Sequence, residues 1–384
     1  MRTVRLGEVC QQCRESVRPG ERGELRYIGL ESIESGSAQF VEGALSKTPE
    51  APQANSFRFG PEHILYGKLR PYLNKVALPD FEGKCSTEII PLLPSPEADR
   101  AYLAFFLRSQ QVVEQISART AGARMPRADM DFVLSLSIPL PPLPEQHRIV
   151  DLLSRADGIV RLRREAEKKA AELIPTLFLD MFGDPAANPK GWPMAPVGDV
   201  IAAADYGSST KSSDDGSGLP LIRMGNVDYA GALNLSDLKL VNLPTEEIEK
   251  YRLHEGDILF NRTNSKELVG KTGLWDDTRD AIAASYFIRV RVQRNKLNPR
   301  YFWAFMNSRH MKRVLFETSR GAIGQANINS KELKAFKVAL PPLALQQDFA
   351  GKIEQVRSIQ SQQSTATAKA QAAFDALLAH TFRN

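Results

Sequence analysis

The chain has 384 residues, 42% hydrophobic and 25% charged, with a formal net charge of +5 and a pI near 9.0. That length has room for two or three domains with real cores, and the mild basicity permits nucleic-acid binding without requiring it. No apolar run reaches the ~20 residues of a membrane span, MRTVRLGEVCQQCRESV has no apolar core of signal-peptide length, and three cysteines make no disulfide framework. The expectation is a cytoplasmic protein without a membrane partner.

Residues 1–137 carry short β-prone runs between Gly, Pro and polar turns: ELRYIGLESI (24–33), HILYG (63–67), TEIIPLL (87–93) and DFVLSLSIPL (131–140). From 98 to 118 the apolar spacing becomes that of one amphipathic helix. Two polar loops stand out. GKLRPYLNK (67–75) offers Lys68, Arg70, Tyr72, Asn74 and Lys75; ARTAGARMPR (118–127) offers Arg119, Arg124 and Arg127. Such groups position a protein on phosphates and read base edges.

Residues 138–190 begin IPLPPLPEQHRIVDLL. Proline ends a strand and is tolerated in a helix's first turn. Ile149, Leu152, Ala156, Ile159, Ala166, Ala170, Leu173 and Leu177 then step by three and four, an a/d seam broken at Arg163. Pro175 should kink this helix near its end. Arg161, Arg164, Glu165, Lys168 and Lys169 form a charged face, read as solvated.

Residues 191–337 return to the mixed pattern, with LPLIRMGNV (219–227), DILFN (257–261), SYFIRVRV (285–292), KAFKVAL (334–340) and one helix near 299–318. The loops matching those of the first domain are NRTNSKELVGK (261–271) and SRGAIGQANINS (319–330). They offer Asn261, Arg262, Asn264, Lys266 and Lys271, and Arg320, Gln325, Asn327 and Asn329. The Arg-rich loop of the first domain suits guanine, and the Gln/Asn-rich loop here suits adenine. Residues 338–384 open with VALPPLALQQDFAGKI. Their seam is Phe349, Val356, Ile359, Ala366, Ala370, Ala373 and Leu377, with breaks at Lys352 and Gln363; Asp375 stands where Pro175 stood.

The chain is therefore a tandem repeat. Shifted by 200 positions, Leu140, Pro141, Pro142, Leu143 and Gln146 meet Leu340, Pro341, Pro342, Leu343 and Gln346, without a gap to the last residue. Strands with few helices give an α+β fold class: two mixed domains (1–137 and 191–337), each followed by a long helical region (138–190 and 338–384). The narrow, alanine-rich seams suit close pairing of the helices as an antiparallel coiled coil, with pseudo-twofold symmetry inside one chain. A helix of about 35 residues is roughly 50 Å long, or about 15 bp of DNA. Two unlike heads on such a spacer would read two different half-sites and ignore the bases between.

The LPPL-x-x-Q handover, in IPLPPLPEQHRI and VALPPLALQQ, with the DILF segment and FLDMFGD after the first seam, resembles the specificity subunit of type I restriction–modification enzymes over essentially the whole chain. The resemblance implies two target-recognition domains on double-stranded DNA, helices that set the spacer, two docked methyltransferase (modification) subunits, and restriction (motor/nuclease) subunits directed to the site. The second copy departs from the family's LPPL-x-E-Q, because Leu345 replaces the glutamate matching Glu145.

Motifs for chemistry are missing from the sequence. There is no N/D-P-P-Y/F segment, and Gly270-Lys271-Thr272 lacks the first glycine of a phosphate loop, Ser265 standing in its place. Asp80 and Glu82 in PDFEGK are packed into a single turn, and Cys10 and Cys13 are a lone CxxC with no second pair for a metal. The chain is expected to be non-catalytic and to bind no cofactor, with methyl donor and ATP on the partner subunits. The competing reading is a coiled-coil scaffold whose mixed domains bind proteins.

Overall fold

The computed structural model describes residues 2–18, 25–45, 55–122, 124–213, 217–322 and 325–383. It divides into two compact units: residues 1–166 with 363–384, and residues 167–362. Each unit thus contains one mixed domain, the start of the helix that follows it, and the end of the other long helix.

In the first unit, strands Cys10–Gln12, Ile89–Pro94, Ile64–Gly67 and Val76–Ala77 form an antiparallel sheet in that order. A second sheet runs Ser16–Val17, Ser56–Phe59, Gly83–Ser86 and Arg26–Ile28, its last pair parallel. In the second unit, the main antiparallel sheet is Ile201–Tyr206, Phe287–Val292, Ile258–Asn261 and Thr272–Leu274. A smaller sheet joins Lys239–Val241, Leu219–Ile222 and Ile282–Ala283.

The two domains close in the same way. Thr3–Arg5 pairs with Ser137–Pro139, and Met194–Pro196 with Lys337–Ala339. The first residue past each closing strand is held by one more bond, from Leu140 N–H to the Arg2 carbonyl (2.7 Å) and from Leu340 N–H to the Pro193 carbonyl (2.8 Å). The prolines follow, and then the helix starts.

Two sequence expectations change here. The segment near 98–118 is two helices, Arg100–Arg108 and Gln110–Ser117, and its counterpart is Pro299–Met306 and Arg309–Thr318. Ser109 is extended and its hydroxyl donates to the Phe106 carbonyl (2.8 Å), while Ser308 caps the second member of its pair. Serine competes with the helical backbone in this way. The runs read as strands at 131–140 and 334–340 begin instead as helices Met130–Ser135 and Ser330–Ala335, capped by Asp129 and Asn329. Only Ser137–Pro139 and Lys337–Ala339 remain as strand.

The conserved spacing of LPPL-x-x-Q within the chain has a physical cause. Gln146 is fully buried. Its Oε1 accepts from Asp99 N–H (2.7 Å), and its Nε2 donates to the carbonyls of Glu97 (2.9 Å) and Pro141 (2.8 Å). Gln346 repeats the clamp on Asn298 N–H (2.9 Å) and the carbonyls of Lys296 (3.3 Å) and Pro341 (2.8 Å). Asp99 and Asn298 are themselves the caps of the domain helices. One amide thus fastens each long helix to the start of the helix in its own domain. Gln146→Ala orphans all three groups and should destabilise the first unit by about 2–3 kcal/mol, read as a lowered denaturation midpoint with unchanged slope. The Glu145/Leu345 difference is milder. Glu145 makes only an exposed pair with Arg148, whose hydrogen bond holds the carboxyl below the usual range, whereas Leu345 packs on the second core.

Leu143–Ala171 continues after a break at Glu172 as Leu173–Phe182, while Leu343–Thr381 is uninterrupted. The break lies three residues before Pro175, where its missing N–H and its ring disrupt the preceding turn. Arg164 donates to Gln371 (2.8 Å) in the first unit, and Gln360 donates to the Ala170 carbonyl (2.7 Å) in the second. In each unit the start of one long helix thus lies beside the end of the other.

The seam itself is corrected in phase. Leu152, Ile159, Leu173, Ile359 and Ala373 are exposed, with Leu152 and Ile159 at 50% and 54%. Ile149, Ala156, Ala166, Leu177, Val356, Ala366, Ala370 and Leu377 are half-buried, and only Ala170 and Phe349 of the predicted set are fully buried. The buried rungs sit one position later, at Leu153, Val160, Ile174 and Phe178, with Ile353, Phe374 and Leu378 on the last helix. Each helix packs on a domain core as well as on its partner, so the buried stripe turns toward the domain.

Candidate nucleic-acid interface

In the first unit the two predicted loops are brought side by side. Thr120–Ala121 and Arg127–Ala128 form a small hairpin. Leu69 bridges Arg127, Arg70 N–H donates to the Pro126 carbonyl (2.7 Å), and Ala128 N–H donates to the Lys68 carbonyl (2.8 Å). In the second unit, Thr263–Asn264 pairs with Gln325–Asn327, which pairs with Arg320–Ala322, a three-stranded ribbon built from both predicted loops. Each domain therefore gathers its two separate polar loops on one face.

The side chains there fall into two groups. Some are tied into the fold by their own hydrogen bonds. Lys75 Nζ donates to the carbonyls of Leu30 (2.6 Å) and Ile33 (2.9 Å), and Lys271 Nζ to those of Met224 (2.7 Å) and Val227 (2.5 Å). The two lysines do the same task in the two domains, tying the strand pair to a one-turn helix, Leu30–Ser32 or Met224–Asn226. Burial lowers both amines below the ordinary lysine range. Asn261 is fully buried and bonds the carbonyls of Thr263 and Tyr286. Asn329 caps Ser330–Ala335 through Glu332 N–H (3.0 Å), Asn74 donates to the Arg108 carbonyl (2.9 Å), and Asn264 bonds Asn261 (2.8 Å).

The others face outward. Arg70, Tyr72, Arg119, Arg124, Lys266 and Asn327 are exposed, and Lys68 is half-buried. Arg127 is held in a fork by Glu88 (2.9–3.1 Å), which cancels part of its charge but leaves it at the surface. Arg119 lies over Phe132, Lys266 over Phe316 and Arg262 over Tyr206, at 4.5, 4.6 and 4.9 Å from the ring centroids. These stacks extend the cations without neutralising them. The side chains of Arg320 and Gln325 lie outside the described residues.

Sequence reading missed the aromatic part of the second face. Tyr206 and Tyr286 are both about half exposed. Tyr206 carries Arg262 and accepts from Ser330 N–H (3.4 Å), and the Tyr286 carbonyl accepts from Arg262 N–H (2.8 Å). Tyr206 ends the strand Ile201–Tyr206 and Tyr286 stands in the turn just before Phe287–Val292, so they reach the loops from other parts of the chain. Rings interleaved with cations on an exposed face are what phosphate and base contact require.

Comparison with known proteins identifies a family. A family model described as the type I restriction modification DNA specificity domain matches twice, over residues 1–172 and 189–369. The chain is 27% identical over 302 residues to the type I restriction enzyme EcoKI specificity subunit of Escherichia coli (strain K12), covering 73% of this chain and 64% of that protein. It is 25% identical over 302 residues to the StySPI specificity subunit of Salmonella potsdam, with the same coverage of 73% and 64%. The chain thus spans just under two thirds of the length of these relatives. Among solved structures, a chain from a study of complex assembly in the type I restriction–modification system superposes with a TM-score of 0.60 at 23% identity, covering 100% of this chain and 97% of that one. The type I system S subunit from M. genitalium gives 0.56 at 14%, covering 100% and 96%. Those two likenesses concern the fold.

Proposed function

The chain belongs to the type I restriction modification DNA specificity family, and from that premise we propose that it is the sequence-specific DNA-binding subunit of a type I restriction–modification complex. The heads at 1–137 and 191–337 are its target-recognition domains, and 138–190 with 338–384 its spacer. It reads an asymmetric bipartite target in double-stranded DNA, one half-site per head, with a non-specific stretch between. It directs two methyltransferase subunits and the restriction subunits to that site inside the cell. The chain itself is non-catalytic, and methyl donor and ATP belong to its partners. Burial pushes the Cys10 thiol up to about 12, which fits a core residue and not a nucleophile.

One observation carries this reading: each head independently gathers two separate loops into one face of outward cations, amides and rings. A protein-binding scaffold has no need of that duplication. The outward apolar residues of the helices have a place in it too. Leu152, Ile159 and Leu162 in the first unit form a docking surface for one methyltransferase subunit, and Leu173, Leu179 and Ile359 in the second form one for the other.

The test is DNA binding by the complex assembled with its modification subunits. Arg124→Ala on the first head and Lys266→Ala on the second should weaken binding to all sequences alike. Each should lower the slope of log affinity against log salt by about 1. Unchanged slopes in both variants would favour the scaffold.

A further inference from the structure

The turn at 70–74 in the first head is built with unusual backbone cost. Arg70 and Asn74 are non-glycine residues in the left-handed region, at φ 52 and 49, and they bracket the one-turn helix Pro71–Leu73. Such conformations persist only where the surroundings over-determine them, and they concentrate at functional sites. Here the surroundings do so. Arg70 N–H is held by Pro126, Leu73 N–H by Arg70 (2.9 Å) and Asn74 N–H by Pro71 (2.9 Å). The Asn74 carbonyl receives Gly36 N–H (2.9 Å), and the Asn74 side chain reaches Arg108. Pro71 is buried and Lys75 is tied to two carbonyls. All of this fixes a backbone whose outward products are Arg70 and Tyr72.

Tyr72 is 55% exposed. Among the described residues no other ring and no cation lies against it, unlike Tyr206 and Tyr229 of the second unit. Lys68 and Arg70 precede it in the sequence, Arg124 stands in the loop that pairs with theirs, and Met125 beside Arg124 is also exposed. A bare ring on a fixed backbone, in a loop that carries cations, is what stacking on a nucleic-acid base needs: the cations hold the phosphates, and the turn loses little backbone freedom on contact.

We propose that Tyr72 is a preformed stacking wedge, which lies against a base at a distorted step of the first half-site. This rests on the DNA-binding reading above and deepens it. Stacking is tolerant of base identity, so Tyr72 favours sequence through the cost of unstacking the step, lowest at pyrimidine–purine steps. The second head has no counterpart. After Ile258–Asn261 its chain enters the strand Thr263–Asn264 and reaches no left-handed residue before Gly270. The two heads then recognise DNA differently, the first through deformability and the second through its ribbon.

The experiment uses the complex with its modification subunits and duplexes carrying 2-aminopurine at successive first-half-site positions other than the methylated base, which the partner extrudes. The wild-type complex should raise the fluorescence at one step. Tyr72→Ala should abolish that rise and weaken binding about 5- to 150-fold, the loss of one base–aromatic stack. Tyr72→Trp and Tyr72→Phe should keep both. A Tyr72→Ala complex with wild-type affinity, or with the fluorescence rise intact, overturns the proposal. Lys68→Ala and Arg70→Ala separate the two levels. If they weaken binding and Tyr72→Ala does not, the face stands and the wedge falls. If none of the three matters, the face falls and takes the wedge with it.

Discussion

Phe382→Ala should unfold the first unit more easily by about 3–5 kcal/mol, the cost of emptying a buried aromatic site, although residue 382 lies some 200 positions beyond the rest of that unit's helix. Phe382 is buried against Tyr102 and Phe106, with ring centroids at 5.2 and 5.5 Å. Phe374 and Leu378 join the same core. The equivalent residue, Phe182, sits in the other core, against Tyr301 (4.7 Å) and Phe349 (5.1 Å). Each long helix therefore ends in the unit that it did not begin in. Hydrogen exchange resolved by segment separates the effects. Phe382→Ala should speed exchange in the first core sheet at 64–67 and 89–94, and Phe182→Ala in the second at 258–261 and 287–292. Equal acceleration of both sheets by either variant would contradict the assignment of the helix ends.

Asp157→Arg should be nearly as damaging. The Arg108 side chain is 2% exposed, bonds Asp157 (2.8 Å) and the Gly36 carbonyl (2.9 Å), and lies over Phe105 and Phe374. Removing one partner of a buried pair costs about 3–5 kcal/mol. The lower end applies here, because Asp157 keeps a quarter of its surface in solvent. The position 200 residues later is Arg357, which pairs with Asp276 and lies over Trp303 (4.8 Å). The polarity of the lock is thus reversed: the helix carries the acid in the first unit and the base in the second. The double variant Arg108→Asp/Asp157→Arg should recover part of the loss in thermal unfolding. It cannot recover all, because the stacking and the Gly36 bond go with Arg108.

What the sequence revealed follows from what is local. The 200-residue repeat, the proline handover, the Pro175 break and the two loops per domain are written in short patterns, and the fold uses each. The phase of the seam is not. Apolar residues stand in adjacent pairs at 152/153, 159/160 and 173/174, so a three–four spacing fits either member, and only packing on the domain decides. The inward turn of Lys75 and Lys271 was equally hidden. A lysine in a polar loop reads the same whether it reaches for solvent or for two carbonyls. Tyr206 joins the interface through sheet pairing and Tyr286 through its carbonyl's bond from Arg262 N–H, which no nearby residue encodes.

The central claim is that each head reads its own half of one bipartite site. The most direct measurement is the set of sequences methylated by the complex assembled on this chain, before and after the ribbon segments 263–268 and 325–329 are replaced by those of another family member. The account predicts two short specified blocks around a tolerant middle, with the replacement rewriting one block and leaving the other untouched. A single continuous block, or a replacement that alters both blocks together, would contradict it.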